Sequence, residues 1–498
     1  MVEFSLSDSL LLVVAMLLFL SVIASKTSFR VGVPVLVFFM AIGMLAGSEG
    51  IGGIAFNSPK LAQFIGIIAL NFILFFGGFD TNFKEVRSII KPGAALSIFG
   101  VLFTAISLGV FIWLVVPNFT LVEGMLLGSI VSSTDAAAVF AVLRSRNMGL
   151  RGGLRPMLEF ESGSNDPMAY LLTITFLSLA QKTEGSLWAE IPMFLLQLAV
   201  GVIMGLGMGW LSKRLINRIR LEFDALYAVV VIALIFFTYS ATGVIHGNGF
   251  LAVYVFALYL GNQKLIHKKT ITSFFDGFAW LMQITIFIVL GLLVKPSQII
   301  PVIGTGLIIS AFLMFAARPL SVFLSLLPFK IPFNRQLFVS WVGLKGAVPI
   351  VFATYPLVAD LDKSEMFFNI VFLVSVTSVL VQGTSLSGAA KLFGVSQPFK
   401  KTRNISIDIE LGHEDVKSKF AQVVMPKHSQ ALDTPLVELG FPKKAAISLI
   451  IRGKKYITPY GATTLEAHDK LLIVAEDATS MADALEKLEV KGQVDLVG

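Results

Sequence analysis

A succession of long apolar runs fills the first 395 residues of the chain and constrains its fold more than any other feature. An apolar run of about twenty residues spans a bilayer as an α-helix. By that measure the sequence predicts about thirteen spans, centred near residues 16, 39, 70, 105, 132, 170, 200, 233, 254, 283, 314, 345 and 379. Only 14% of the residues are charged, against about 25% in soluble proteins. The chain is therefore predicted to be a polytopic α-helical membrane protein.

The charges in the connecting loops predict how these spans are oriented. With the N-terminus outside, the loops on the cytoplasmic side carry 18 lysines and arginines, and the loops on the other side carry only 4. Positive residues concentrate in cytoplasmic loops. An odd number of spans then places the C-terminus in the cytoplasm. The net charge of +7 follows from these loops, so a nucleic-acid partner is not expected.

The residue types of the chain exclude some chemistry. It contains no cysteine, which rules out disulfides, thiolate-bound metals and thiol catalysis. Its start, Met1-Val2-Glu3-Phe4, has no positively charged segment, and the first apolar run has no small-residue cleavage pattern. The run from Leu10 to Ala24 is therefore predicted to be a retained helix and not a signal peptide.

Three carboxylates, those of Asp135, Glu161 and Asp166, lie within or at the mouth of apolar spans. An ionisable group at membrane depth costs about 3 kcal/mol or more, which indicates a function. Ser162 and Asp166 are four residues apart and so share one face of a helix. Hydroxyl and carboxylate oxygens are hard ligands suited to an alkali cation. The alternative is that Ser162 and Asp166 are solvated caps at a helix start.

Two spans contain residues that weaken a helix. Ser132, Ser133 and Thr134 precede Asp135 in the fifth span, and Gly343-Leu344-Lys345-Gly346-Ala347-Val348-Pro349 lies in the twelfth. These spans are seven apart and therefore cross the membrane in opposite directions. Interrupted helices at corresponding places of two inverted halves mark the midplane site of a transporter. The alternatives are a Ser/Thr contact surface between helices and unrelated small-residue packing.

Two cations, Arg318 and Lys345, also lie within apolar spans. Neither is expected to stay charged there without a partner. The three carboxylates named above are the candidate partners.

The composition changes after Gln397-Pro398-Phe399-Lys400-Lys401, where charged residues become frequent. Residues 445–451, 456–459 and 470–475 have the length and composition of strands, and 480–488 has helical spacing. The sequence thus predicts a transmembrane domain over 1–395, a linker over 396–402, a small cytoplasmic α+β domain over 403–490 and a tail over 491–498.

Several motifs resemble those of the NhaP-type monovalent cation:proton antiporters. They are Thr134-Asp135-Ala136-Ala137-Ala138-Val139, Glu161-Ser162-Gly163-Ser164-Asn165-Asp166-Pro167, Ala317-Arg318-Pro319 and Gly343-Leu344-Lys345-Gly346-Ala347-Val348, in which Lys345 replaces the usual arginine. The tail, with Leu436-Val437-Glu438-Leu439 and Pro442, resembles an RCK C-terminal (TrkA-C) regulatory domain. The combination is similar to bacterial potassium/proton antiporters linked to cell-volume regulation.

The resemblance implies a fold of inverted repeats with crossed, discontinuous helices, in a homodimer in the bacterial inner membrane. It implies a secondary transporter and not an enzyme. Asp166 would bind either the cation or a proton, and Ser162, Asp135 and Thr134 would complete the alkali-cation site. Asn165 stands where the electrogenic branch has a second aspartate, which favours electroneutral exchange. Glu161 and Arg318 would form a structural ion pair.

One position departs from the resemblance. Some relatives have a glutamate before a Gly-Gly pair in the third span, where this chain has Phe76. Fewer charged ligands favour potassium over sodium as the exchanged ion. A sodium/proton antiporter of the same fold stays open as an alternative. So does a potassium channel gated by its tail, although the chain lacks a TVGYG-like filter.

The tail also suggests a ligand. RCK-type domains often bind nucleotides or ions, and four basic residues could hold a small anionic, nucleotide-type regulator. They are Lys443, Lys444, Arg452 and Lys454. The alternative is a solvated basic surface.

Overall fold

The computed structural model describes residues 6–31, 34–182, 187–398, 419–426, 428–453, 455–489 and 495–497. The chain divides into two compact units, Met1–Lys400 and Lys401–Gly498. The boundary that the sequence predicts between them, over residues 396–402, lies partly outside the described residues. Each unit is described by itself.

The first unit contains a helix, or a pair of helices, at every predicted span centre. The helices are α1 (Leu6–Val31), α2 (Val35–Ala46), α3 (Pro59–Asp80), α4 (Ile90–Val115), α5a (Leu121–Ile130), α5b (Ala136–Ser145), α6 (Leu154–Gln181), α7 (Leu187–Arg218), α8 (Ala225–Val244), α9 (Gly249–Gly261), α10 (Lys268–Leu293), α11 (Pro296–Leu326), α12a (Phe333–Trp341), α12b (Ala347–Val358) and α13 (Ser364–Leu392). A helical turn, Phe83–Val86, lies between α3 and α4. The predicted polytopic α-helical fold is confirmed.

Apolar length differs among these helices. Within the described residues, seven are long and apolar enough to cross a membrane by themselves, namely α3, α4, α7, α8, α10, α11 and α13. Helix α9 has only 13 residues, as its short apolar run predicts. The fifth and twelfth spans are each made of two short helices.

The helix breaks fall where the sequence predicts them. The fifth span is non-helical between Ile130 and Ala136, and the twelfth between Trp341 and Ala347. The two spans are seven apart, which agrees with an inverted repeat. Spans four and eleven, another pair seven apart, each contain a π-helical segment, Leu96–Gly100 and Leu313–Ala317. Such segments occur often at functional sites.

A two-stranded antiparallel sheet joins distant parts of the first unit. Strand β1 (Met148–Leu150) pairs with β2 (Ser396–Pro398), with Met148 opposite Pro398. The amide of Arg151 also donates to the carbonyl of Val395 at 2.9 Å. The start of the predicted linker is therefore fixed beside the beginning of α6.

The described residues of the second unit form a five-stranded antiparallel sheet and one helix. The strands are β3 (Lys419–Val424), β4 (Ala445–Arg452), β5 (Lys455–Ile457), β6 (Lys470–Ala475) and β7 (Asp495–Val497), in the order β5-β4-β6-β3-β7, and the helix is α14 (Ala478–Lys487). The predicted strands β4, β5 and β6 and the predicted helix are present. Strands β3 and β7 were not predicted, and β7 falls within the residues that the sequence assigns to a tail.

Candidate functional site

A cavity of about 820 Å³ reaches from one end of the first unit to a buried carboxylate. At its mouth lie the exposed residues Asp80, Arg144 and Asp276. Further in, it is lined by Ser162 and Asp166 of α6 and by residues 133–138 of the fifth span. The predicted alignment of Ser162 and Asp166 on one helix face is therefore present, and both face this cavity.

The two broken spans meet at the cavity. The amide of Asp135, in the first break, donates to the carbonyl of Leu344 in the second break at 2.7 Å. Gly346 lies directly against Asp135, since a Cβ atom there would be 2.3 Å from the carboxylate. Two unwound segments thus satisfy each other's backbone groups, which is required where water is excluded.

Both helix ends that border the first break face an ionisable side chain. Asp135 is the N-cap of α5b, and its carboxylate accepts from the amide of Ala138 at 3.1 Å. The ammonium of Lys345 donates to the carbonyls of Ser133 at 2.8 Å and Ser132 at 3.2 Å, just beyond the end of α5a. A helix favours an anion at its N-terminus and a cation at its C-terminus. The charges therefore match the dipoles of the two half-helices.

The hydrogen-bond partners of Lys345 differ from the expected carboxylates. A carboxylate was predicted, but in the part of the chain that the structure describes Lys345 donates to main-chain carbonyls. The reason is that unwinding the fifth span frees carbonyls that a continuous helix would have used. Lys345 is only 2% exposed, so these carbonyls take the place of water.

Three polar residues tie α6 to the first break. The Ser162 hydroxyl donates to the carbonyl of Thr134 and accepts from the amide of Ala136, each at 3.0 Å. The side-chain amide of Asn165 donates to the hydroxyl of Thr134 at 2.6 Å. The hydroxyl groups of both predicted ligands, Ser162 and Thr134, therefore already hold the break in shape.

Asp166 carries a buried polar atom without a hydrogen-bond partner among the described residues. It is 8% exposed and lines the cavity. Its Oδ1 atom, like Oδ1 of Asn165, is buried and accepts no hydrogen bond from the described residues. A buried acceptor without a donor is costly, and a bound cation or a proton on the carboxyl group would remove that cost.

The predicted ion pair between Glu161 and Arg318 is present. The guanidinium donates to Glu161 Oε1 at 2.6 Å, and the two side chains are only 1% and 4% exposed. The pair joins α6 to α11. Breaking such a buried pair on one side leaves an uncompensated charge, so it fixes these two helices together.

A buried amide supports the second break, and sequence reasoning missed it. Gln382 lies in a π-helical segment of α13, accepts from the Ser378 hydroxyl at 2.6 Å and donates to the carbonyl of Trp341 at 2.9 Å. The Ser378 hydroxyl in turn accepts from the amide of Lys345 at 3.1 Å. A glutamine within an apolar span was the available signal.

Two further residues of the sequence analysis line the cavity. Phe76 lies on its wall, so the position where some relatives have a glutamate is apolar here. Glu159 also lines it and pairs with Arg155 at 2.9 Å. The charge at this wall is therefore lower than the resemblance alone would imply.

Among the described residues, two of the basic residues predicted to bind a ligand are paired with acidic side chains. Arg452 bonds to Asp469 at 2.8 Å and Glu466 at 2.5 Å, and its hydrogen bonds to Asp469 raise the pKa of the guanidinium. Lys444 lies 3.4 Å from Glu476. Lys443 is exposed, and Lys454 lies outside the described residues. Arg452 and Lys444 therefore have acidic partners within the second unit, and their role in ligand binding stays a prediction.

Comparisons with known proteins agree with this architecture. Residues 13–392 match the transmembrane sodium/hydrogen exchanger family, and residues 420–488 match the TrkA-C domain. The chain is 36% identical to the K(+)/H(+) antiporter NhaP of Alkalimonas amylolytica, over 94% of this chain and 81% of the relative. It is 37% identical to the K(+)/H(+) antiporter NhaP2 of Shewanella oneidensis, over 94% of this chain and 82% of the relative.

The fold also matches a solved structure. The sodium proton antiporter MjNhaP1 from Methanocaldococcus jannaschii superposes with a TM-score of 0.65 at 24% identity, covering 75% of this chain and 99% of that one. This likeness shows the fold, and the match to the sodium/hydrogen exchanger family covers most of the first unit. The chain therefore belongs to the sodium/hydrogen exchanger family and carries a TrkA-C domain after its transmembrane region.

Proposed function

We propose that the chain is a secondary antiporter that exchanges cytoplasmic potassium for protons across a bacterial inner membrane. The observation that carries this proposal is the buried carboxylate of Asp166, which lines a cavity beside two crossed half-helices and has an oxygen without a donor. One carboxyl group that holds either a proton or a cation couples the two fluxes, because the two ligands compete for it. Relatives named K(+)/H(+) antiporters at 36–37% identity support potassium.

The site residues have distinct proposed roles. Asp166 exchanges the proton for the alkali cation, and Ser162, Asp135 and Thr134 surround it. Asn165, Glu161, Arg318 and Lys345 hold the surrounding helices. Access would alternate by movement of a core domain that contains spans five, six, twelve and thirteen, together with span eleven, which the Glu161–Arg318 pair fixes to span six, against the remaining spans. The strong loop-charge asymmetry supports a cytoplasmic C-terminus, and the homodimer of the resemblance remains part of this proposal.

Asp166→Asn tests the assignment in vesicles that report internal pH. The variant is expected to lose cation-dependent proton movement while remaining folded, because an amide neither releases a proton nor neutralises a cation. Asp276→Asn is the matched control, since Asp276 is an exposed carboxylate at the mouth of the same cavity, and it is expected to retain exchange. Normal exchange by Asp166→Asn would contradict the proposal.

Sodium is the second candidate ion. A sodium/proton antiporter of Methanocaldococcus jannaschii is 28% identical over 68% of this chain, which is a more distant match than the potassium relatives. Titrating vesicles with potassium and with sodium separates the two ions by their apparent affinities. Current without proton flux in a bilayer recording would instead indicate the channel alternative.

The second unit is proposed to regulate exchange by binding a small cytoplasmic ligand. The TrkA-C match supports a regulatory domain. Since Arg452 and Lys444 are paired with acidic residues, Lys443 and Lys454 remain the basic candidates for an anionic ligand. Calorimetry of the full chain with a panel of nucleotides tests the idea, and no heat of binding across the panel would remove nucleotides as the ligand class.

A further inference from the structure

The side of Asp166 that faces away from the cavity is closed by aromatic side chains. Among the described residues, α6 lines the cavity from Arg155 to Asp166 and not beyond. Tyr170, one turn further along α6, has its ring centroid 5.0 Å from that of Phe250 and 5.6 Å from that of Tyr355. Tyr239 also packs on Phe250 at 5.0 Å. These four rings, which we call the aromatic seal, come from α6, α8, α9 and α12b.

A side-chain hydrogen bond joins α6 to the start of α9 beside this seal. Asn248 is fully buried and is the N-cap of α9, where its Oδ1 accepts from the amide of Leu251 at 3.1 Å. Its Nδ2 donates to the carbonyl of Pro167 at 2.9 Å. Pro167 directly follows Asp166, so this bond acts on the backbone at the candidate exchange site.

The same two helices make a second close contact at the preceding turn. The ring of Tyr254, on α9, packs so closely on Gly163 of α6 that a Cβ atom there would be 2.5 Å away. Gly163 and Pro167 are four residues apart and flank Asp166 on α6. Helix α9 therefore touches α6 on both sides of the exchange carboxylate, through one hydrogen bond and one steric contact.

We propose that Asn248 is a positioning residue, a latch that holds the state in which Asp166 faces the cavity. The inference rests on the proposed function, in which the sixth span moves and the ninth does not. Movement of α6 along α9 separates the Pro167 carbonyl from Asn248 and leaves a buried amide without its acceptor, which is unfavourable. The bond therefore stabilises this state relative to the one open on the far side.

The chain is well suited to an accessibility test because it contains no natural cysteine. Ala141→Cys places a thiol on the cavity wall. Thr173→Cys places one on α6 beyond the seal, at a position that is fully buried in this state. Membrane-impermeant thiol reagents applied to each side of oriented vesicles then report which side is open.

Asn248→Ser removes the latch and keeps the helix cap, because a serine hydroxyl can accept from the Leu251 amide but does not reach Pro167. We expect labelling of Thr173→Cys from the far side to rise about fivefold, the effect of one net hydrogen bond. Labelling of Ala141→Cys is expected to fall. The apparent KM for potassium on the cavity side should rise without a loss of maximal rate, since fewer molecules are competent to bind there.

Asn262→Ser is the matched control. Asn262 ends the same helix, and its side chain bonds to the carbonyl of Thr81 at 2.9 Å and to the amide of Phe83 at 2.7 Å. These bonds join α9 to the end of α3 and the turn after it, which do not move in the proposed mechanism. The control is therefore expected to label like the unsubstituted chain.

Two results would overturn the latch. One is unchanged labelling of both thiols in Asn248→Ser and in a second variant, Asn248→Asp, which also keeps the cap but places an acceptor against the Pro167 carbonyl. The other is an equal shift in Asn262→Ser, which would assign the effect to general damage to α9. A chain that labels as expected but exchanges no cation for protons would contradict the proposed function instead.

Discussion

At Gly346 the backbone of one broken span lies against the side chain of the other. A Cβ atom there would be 2.3 Å from Asp135 Oδ2 and 2.9 Å from its Cβ atom. Asp135 cannot shift away without losing hydrogen bonds, because its side chain caps α5b and its amide bonds to Leu344. The crossing of the two breaks therefore requires a glycine at position 346.

Gly346→Ala is expected to separate the two breaks and to reduce exchange at least tenfold, with a lower melting temperature. Steric insertion into a packed site costs about 1–3 kcal/mol. Gly277→Ala is the control, because nothing lies within 4 Å of a Cβ atom there, and alanine favours the helix. Exchange assays and thermal unfolding in detergent check both variants. Equal behaviour of the two would show that the crossing tolerates a methyl group.

At the same scale, the polar residues of the site were predictable and their partners were less so. Asp135, Ser162 and Asp166 stand out because each is polar in an apolar run. The pair of Glu161 and Arg318 follows from the need to neutralise buried charge. The carbonyl partners of Lys345 did not follow, since they depend on which backbone groups the break exposes. Asn248 was missed because an N-cap and an interhelical donor have the same sequence signal.

At the scale of elements, Lys345 joins the two broken spans. It lies in the second break and donates to the carbonyls just beyond the end of α5a. Lysine and arginine both donate several hydrogen bonds, and arginine is the usual residue at this position in the proteins that the motif resembles. Lys345→Arg is therefore expected to keep at least a tenth of the exchange rate, whereas Lys345→Met leaves the carbonyls of Ser132 and Ser133 without a donor and should abolish exchange.

Proton flux in vesicles and melting temperature check this pair of variants. A loss of exchange in Lys345→Arg as complete as in Lys345→Met would indicate that the shape of lysine, and not its donors, is required. Full exchange by Lys345→Met would show that the carbonyls find water instead. The two variants differ in both hydrogen-bond donors and charge, so they measure these two contributions together.

In the second unit, Asp477 caps helix α14 and makes its stability depend on pH. The carboxylate accepts from the amide of Ser480 at 2.8 Å, and this bond holds the pKa of Asp477 below its ordinary value. A lowered pKa stabilises the folded state above the unfolded pKa of about 4. That contribution is lost as the pH falls through the lowered value.

Hydrogen exchange of the α14 amides in the full chain, between pH 5 and about pH 2, measures this loss. Protection is expected to fall more steeply in the unsubstituted chain than in Asp477→Asn, because asparagine also caps a helix but does not titrate. Identical pH dependence in the two proteins would assign the effect to other carboxyl groups.

At the level of elements, apolar length and charge predicted most of the fold. Each of the thirteen span centres falls in a helix or a broken helix, because about twenty apolar residues have no other arrangement that satisfies their backbone in a bilayer. Strand β3 was not predicted because Gln422 interrupts its apolar run, and strand β7 was not predicted because only two of its three residues are apolar. Strand β2 was not predicted because its partner, β1, lies about 250 residues earlier. Pairing between such distant segments leaves no pattern in the local sequence.

For the whole molecule, the number of titrating groups sets how much charge crosses the membrane in each cycle. Asn165 donates to Thr134 and is neutral, Asp135 is committed to capping α5b, and Glu161 is paired with Arg318. Of these four residues, Asp166 is the one proposed to exchange one proton for one monovalent cation. Transport is therefore expected to move no net charge.

Exchange in vesicles should accordingly proceed at the same rate with and without an imposed membrane potential. A net charge moved through 100 mV would gain or lose about 2.3 kcal/mol, so potential dependence is readily detected. Asn165→Asp adds a second carboxylate next to Asp166. Exchange by this variant is expected either to depend on the membrane potential or to be lost. Potential dependence in the unsubstituted chain would mean that a second group changes protonation, and Asp135 would then be the residue to substitute next.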